Sequence, residues 1–419
     1  MKYLFVPLGS AGDVNPLTWL AQLMAKRGDD VVVIAHAGMA HVPQRASLRT
    51  VAVGSKADHD AIVNNPDLWH PDRAFNLLAA TFADRAREVI PAIRAEVEPG
   101  NTVVVAAAIA VGARIVAEAD RLPLVTVQLQ PSVFMSEDDR PLLDARLAFL
   151  ERVPGWAWNS VFWLIHKGID ARLAQQINAV RAELGLAQPV HGIMRDWWMS
   201  RSRVLALFPD WFAPRRADWP AQTVLTRFPP FDGDLALDAE ADAFLREGPA
   251  PILFTPGSAN MWAKPFFEAA AGACERLGRR GMLVSGYSER VPATLPPGVR
   301  RFGALPFSRV FSRCAAVVHH GGVGTLAQGL AAGVPQLVMP MAHDQPDNAQ
   351  RLKRLGVGDY LLPKRFQVDA VAAKLHTLLS SAEVQVSCQK VKALMATQMP
   401  PERVADLLQS AFTPAALTT

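Results

Sequence analysis

Ala315-Ala316-Val317-Val318-His319-His320-Gly321-Gly322-Val323-Gly324-Thr325 is the stretch on which the reading of this chain turns. Its apolar start, Ala315 to His319, predicts a buried strand, Gly321 to Gly324 a tight turn, and Thr325 to Ala332 a helix. Gln336 to Met339 follows as the next strand. Strand, turn, helix and strand in that order form a βαβ unit, the building block of a parallel sheet with helices on both faces. The same rhythm runs upstream: strand Ile252 to Thr255, turn Pro256-Gly257-Ser258, helix Pro265 to Leu277, strand Gly281 to Val284. It also opens the chain. Tyr3 to Leu8 is a short strand and Gly9-Ser10-Ala11-Gly12-Asp13 a glycine-rich turn. Pro16 suits a first helical turn, Leu17 to Arg27 continues it until Gly28, and Asp30 to Ala35 is the second strand. Thr102 to Ala108 and Leu124 to Leu129 read as later strands of that first sheet.

At 419 residues the chain has room for two or three domains. Asp138 to Trp198 is helical and aromatic, and a proline-rich passage from Pro209 to Pro230 follows. The expected division is a Rossmann-like domain over 1–227, a linker over 228–250, a second Rossmann-like domain over 251–395, and a C-terminal helix over 396–419 packing back on the first. The fold class is therefore α/β, with two Rossmann-like domains facing each other across a cleft.

Half of the residues are hydrophobic and 20% are charged, which places the chain among globular proteins. Its net charge is +4, and the basic pairs are scattered. No continuous basic track is offered to a polyanion, which argues against nucleic-acid binding. Cys274, Cys314 and Cys388 lie far apart, neither a disulfide framework nor a zinc site, and fit a reducing cytoplasm. No apolar run is long enough to span a bilayer.

In open α/β sheets ligands sit at the carboxyl ends of strands, so the strand-to-helix loops are where chemistry is expected. The His320 to Thr325 loop is the strongest candidate. Its glycines admit a close ligand, the helix start offers unpaired N–H groups, and together they suit a diphosphate. A turn that merely connects strand to helix carries about equal weight. A metal site with His343 and Asp344 is disfavoured, because adjacent His319 and His320 point to opposite faces of a strand. Asp344-Gln345, closing the next strand, suits the hydroxyls of a sugar; the competing reading is that Asp344 or Asp347 caps a helix. Asp13, at the end of the first loop, either caps its helix or serves as a general base for an acceptor hydroxyl. Asp232-Gly233-Asp234 follows two prolines and reads as a solvated turn.

Taken together, Leu305-Pro306, the His320–Thr325 loop, Ala332-Gly333-Val334-Pro335, Asp344-Gln345 and Asn348-Ala349 resemble the metal-independent glycosyltransferases of GT-B architecture, family 1. Gly9-Ser10-Ala11-Gly12-Asp13-Val14 matches the bacterial branch, and the resemblance covers both domains. Phe208-Pro209-Asp210-Trp211-Phe212-Ala213-Pro214, Asp218-Trp219-Pro220 and Phe231-Asp232-Gly233 look like segments of the rhamnosyltransferases of rhamnolipid synthesis, B type.

The resemblance implies an N-terminal acceptor-binding domain and a C-terminal nucleotide-sugar domain. Asp13 would be the base, with Ser10 and Gly12 lining its loop. Ser258, His320, Gly322, Gly324 and Thr325 would hold the donor diphosphate, Leu305 and Gln328 the nucleoside, and Asp344 and Gln345 the sugar. No metal or other cofactor is implied beyond the co-substrate, dTDP-L-rhamnose or UDP-glucose. The reaction would be an inverting displacement onto a hydrophobic hydroxyl acceptor, either a hydroxyacyl lipid or a polyphenol. Two departures bear on the donor. Ala304 stands where many relatives stack a tryptophan on the base. Gln328 stands where many UDP-sugar enzymes grip both ribose hydroxyls with glutamate. Deoxyribose lacks the 2′-hydroxyl, so the amide favours a dTDP-sugar. The aromatic segment Gly155 to Leu173 walls an acceptor pocket, rests on a membrane surface, or is ordinary core. A nucleotide-sugar isomerase or an inactive partner subunit on the same scaffold is the reading from another class, and the sequence leaves the oligomeric state open.

Overall fold

The computed structural model describes residues 1–70, 73–230, 232, 235–257 and 263–412. The chain forms two compact units: Met1–Pro141, Ala148–Phe231 and Met399–Thr419 make the first, and Leu142–Leu147 with Asp232–Gln398 the second.

The first unit is built on a seven-stranded sheet of β1 (Lys2–Val6), β2 (Asp30–His36), β3 (Arg49–Val53), β4 (Thr102–Ala107), β5 (Leu124–Gln128), β6 (Arg203–Ala206) and β7 (Thr223–Leu225), in the order β3-β2-β1-β4-β5-β6-β7. Every pairing is parallel, as strands with helical crossovers require. β1 is buried along its whole length, so Tyr3 to Val6 is an unbroken apolar run rather than an alternation. Leu4, Val6, Val104 and Ala106 share one core with Ala83, Ala86, Val111 and Ile115 of the covering helices. Ser10 caps the first helix, Ala11–Lys26, which therefore starts six residues before Leu17 and carries Pro16 inside it. The C-terminal helix, Pro401–Ser410, belongs to this unit, and Arg27 donates to the Glu402 carbonyl and, at 2.8 Å, to Asp406.

The second unit holds β8 (Ile252–Thr255), β9 (Gly281–Val284), β10 (Val299–Phe302), β11 (Ala316–His319), β12 (Gln336–Val338) and β13 (Gly358–Tyr360), in the order β10-β9-β8-β11-β12-β13. All pairings are again parallel. Successive residues of β8 feed opposite cores. Ile252 and Phe254 pack with Phe266 and Phe267, whereas Leu253 packs with Met282, Phe244 and Phe311. Phe244 comes from a helix, Ala239–Arg246, capped by Asp238, in the acidic stretch that reads as linker from sequence. In each sheet the strand order reverses direction beside one central strand pair, β1/β4 and β8/β11. Crevices outside such reversals are where open α/β sheets bind ligands. Among the described residues no helix is long and apolar enough to cross a membrane.

Candidate active site

The loop after β1 places a carboxylate at the carboxyl end of the first sheet. Gly12 donates its N–H to Ser10 Oγ at 3.3 Å. The Ser10 N–H and hydroxyl donate to Asp13 Oδ2 at 2.8 and 3.1 Å. This is a capping box, with Asp13 in the third helical position rather than at the end of the loop. Ser10, not Asp13, is the cap. Burial pushes the Asp13 carboxyl up to about 6, against the lowering effect of both Ser10 hydrogen bonds. A carboxylate held this way is a base suited to neutral pH. Gly9 makes room for it: its φ is +114°, and a Cβ there would lie 2.3 Å from Asp13 Oδ2. A Gly9→Ala substitution is expected to displace that oxygen and lower turnover about tenfold or more, with substrate affinities nearly unchanged, in steady-state kinetics.

In the second unit β11 ends at His319, whose backbone is in register with Thr255 of β8 and Val338 of β12. The loops after these strands therefore start side by side. His319 is fully buried, and its Nδ1 accepts the Gly321 N–H at 3.1 Å. Its other nitrogen must then carry the proton and donate to Gln336 Oε1, 2.9 Å away. Burial holds this imidazole down to about 3, so it is a neutral structural bracket for the glycine turn. His320 turns the other way, the two rings standing at 86°. Its imidazole fits against two glycines: a Cβ at Gly257 would meet it at 2.8 Å, and one at Gly322 at 2.5 Å. Burial lowers it to about 4, and its Nδ1 has no hydrogen-bond partner among the described residues.

The helix that follows starts at Val323, two residues earlier than Thr325, with Gly322 as its N-cap and no side chain closing that end. A Cβ at Gly324 would meet open space. One helical turn further on, Gln328 keeps a buried Oε1 without a partner. Gly333 ends the helix at φ +72°, donating to the Gly329 and Leu330 carbonyls at 3.1 Å each. The result is a short, well-terminated helix whose N-terminal amides are not claimed by any side chain among the described residues, an arrangement that attracts anions.

The Met339–Asp344 loop is tied to this turn. Asn348 is fully buried, and its amide donates to the Gly321 carbonyl at 2.9 Å and to Asp344 Oδ2 at 2.7 Å. Asp344 occupies the N-cap of Gln345–Arg354 but its side chain caps nothing, which removes the helix-cap explanation. Gln345 accepts the Met341 N–H at 2.9 Å, leaving only its amide nitrogen for other partners. Asp347 is buried against Arg351 at 2.7 Å, a structural ion pair. Asn348 was legible as part of a motif but not as the link between its two loops, since that bond spans 27 residues. Asn348→Ala should lower stability by about 1–3 kcal/mol in chemical denaturation, because it strands the Gly321 carbonyl.

Leu305 follows β10 with its side chain in the core, so only its backbone is available to a ligand. Ser258 lies outside the described residues, as do Phe231, Gly233 and Asp234. Asp232 accepts the Ser308 N–H at 2.8 Å. The described residues hold no cluster of His, Cys, Asp or Glu that could bind a metal. The aromatic segment divides: Trp158 and Phe162 are core, while Trp163 and Leu164 are 57% and 62% exposed.

A pair of all-parallel Rossmann-like units is the architecture of GT-B glycosyltransferases. The spinosyn rhamnosyltransferase SpnG, solved with thymidine diphosphate, superposes with a TM-score of 0.70 at 18% identity, over 98% of this chain and 100% of its own. The calicheamicin glycosyltransferase CalG4 gives 0.71 at 18% identity, over 98% of each chain. Residues 284–410 match the family described as "Erythromycin biosynthesis protein CIII-like, C-terminal domain". Glycosyltransferase GtfC of Amycolatopsis orientalis is 30% identical over 394 residues, 91% of this chain and 90% of its own length. O-mycaminosyltylonolide 6-deoxyallosyltransferase of Streptomyces fradiae is 26% identical over 430 residues, 98% and 97% of the two chains. The chain belongs to the family 1-like glycosyltransferases of GT-B fold, and it is a glycosyltransferase.

Proposed function

We propose that this enzyme moves L-rhamnose from dTDP-L-rhamnose to a hydroxyl of a hydrophobic small molecule, by a single metal-independent displacement that inverts the anomeric carbon. Asp13 takes the acceptor's proton as its oxygen attacks the anomeric carbon. The bond from that carbon to the diphosphate breaks, and the nucleoside diphosphate leaves with the electron pair. Ser10 and Gly12 hold Asp13 in place. The open amides at Gly322 to Thr325, the Thr325 hydroxyl and a neutral His320 N–H receive the developing charge, with Ser258 as a further donor. Asp344 and the Gln345 amide bind sugar hydroxyls, and the Leu305 backbone meets the base. The observation that carries this reading is the uncapped helix start beside a neutral, glycine-bracketed His320. At such a site amides and an imidazole N–H can receive the charge of a leaving diphosphate in the place of a mobile cation.

The donor choice rests on Gln328. Its unpartnered Oε1 accepts one ribose hydroxyl, enough for deoxyribose, whereas a carboxylate would grip two. The spinosyn relative, described as a rhamnosyltransferase complexed with thymidine diphosphate, supports the same choice. Gln328→Glu is expected to raise the preference for UDP- over dTDP-donors by about tenfold in kcat/KM. The likeness of Phe208–Pro214 and Asp218–Pro220 to rhamnolipid rhamnosyltransferases favours a hydroxyacyl lipid acceptor. A donor-by-acceptor matrix read by product mass tests the whole reading. Addition of a deoxyhexose from dTDP-L-rhamnose to a hydroxyacyl acceptor is expected. Efficient use of UDP-glucose instead would replace the donor, and conversion of the donor with no acceptor product would point to an isomerase.

A further inference from the structure

The first unit carries an apolar and cationic helix face to which the proposed transfer assigns no step. Helix Gly155–Glu183 is two-sided along Trp158 to Gln176. Trp158, Phe162 and Leu173 point into the core, and Phe162 stacks edge-on against His166 at 4.6 Å. On the opposite arc stand Ser160, Trp163, Leu164, Lys167, Gly168, Ala171 and Arg172, all exposed. Trp163 and Leu164 expose 57% and 62% of their surface, and Phe149, in the turn leading into the helix, exposes 62%. Adjacent large apolar side chains such as Trp163 and Leu164, left out on one helix, are a cost in water that a solvent-facing helix ordinarily avoids. Lys167 sits over the Trp163 ring at 5.3 Å. Neither Lys167 nor Arg172 forms an ion pair with a described residue. The only acid in this stretch, Asp170, is turned inward and accepts the Ile193 N–H at 2.7 Å.

We infer that this face docks on a lipid surface bearing anionic headgroups. Trp163 and Leu164 enter the boundary between headgroups and acyl chains, with Gly168 and Ala171 letting the helix lie close. Lys167 and Arg172 meet the lipid phosphates. Between Trp158 and Gln176, apolar anchors flanked by cations with no exposed acid among the described residues have the charge pattern of an interfacial helix, complementary to anionic headgroups. The inference does not rest on the proposed donor or acceptor, because no step of the proposed transfer is assigned to these residues.

The test is co-sedimentation of the full-length protein with phosphatidylcholine vesicles, alone or with about a quarter phosphatidylglycerol. The wild type is expected to pellet with the anionic vesicles, less so as salt rises, with Trp fluorescence shifting to the blue. Trp163→Ala/Leu164→Ala should lower the bound fraction about tenfold or more. Lys167→Gln/Arg172→Gln should abolish the preference for anionic over neutral lipid. Both double variants should keep the far-UV circular dichroism and the dTDP affinity of the wild type, since the changed side chains are exposed. Failure of the wild type to bind either vesicle, binding untouched by Trp163→Ala/Leu164→Ala, or a shift from dimer to monomer in that variant would overturn the inference.

Discussion

Asp13→Asn is expected to lower kcat/KM for sugar transfer by about 10²–10⁴-fold while leaving dTDP affinity within about twofold. Asparagine keeps the oxygen that accepts the Ser10 N–H and so preserves the capping box; it removes only the basicity. The wild-type enzyme should show kcat/KM rising with pH and levelling off above about 6, where the raised carboxyl is ionised. The same shift sets a stability trend. A carboxyl whose pKa is higher folded than unfolded binds more protons in the native state. Its unfavourable contribution is absent below the ordinary value of 3.8, grows as pH rises to about 6, and is complete above. Asp13→Asn should therefore melt higher than the wild type at pH 7.5 and no higher at pH 3.5. A variant both more stable and far less active is the signature of a strained functional acid. If transfer survives the substitution, Asp13 is only the third residue of a capping box.

Gly322→Ala is expected to weaken dTDP binding by about 10–100-fold in calorimetric titration with little change in melting temperature. The backbone at Gly322 is extended, φ −61° and ψ 137°, so alanine fits the chain without strain. The objection to it is local: the new methyl would stand 2.5 Å from His320 Nε2 and force the imidazole aside. Gly321→Ala is a different experiment, because φ is +98° there and the methyl would meet the Gln345 carbonyl at 3.1 Å. That variant should lose stability first. Because burial keeps His320 neutral to about 4, dTDP affinity should not fall off through the usual histidine range near pH 6.5.

Much of the fold was legible because the central strands are apolar without interruption. β1, β4 and β8 are buried on both faces, and the glycine turns after β1 and β11 punctuate them. The edges were not. β10 reads Val299-Arg300-Arg301-Phe302 with two exposed arginines, and β7 is three residues inside a proline-rich passage. Strands of that kind are held by one neighbour and leave little periodic signal. At the candidate site the chemistry-bearing residues stood out by type, whereas those that position them did not. Gly9 and Gly257 matter through space they leave empty beside Asp13 and His320, and Asn348 through a bond to a turn 27 residues away. That His319 and His320 point to opposite faces was legible from the strand, whereas the hold of Gln336 on the first and the packing of the second against Gly257 and Gly322 were not.

The central claim is that the sugar passes directly from a nucleoside diphosphate to the acceptor oxygen, with Asp13 as the only carboxylate in the chemistry. The anomeric configuration of the purified product, read by nuclear magnetic resonance against that of the donor, tests it most directly. One displacement gives a product of inverted configuration in every turnover. A product that retains the donor's configuration would require either a second displacement or attack on the face the diphosphate leaves, and would contradict the mechanism outright.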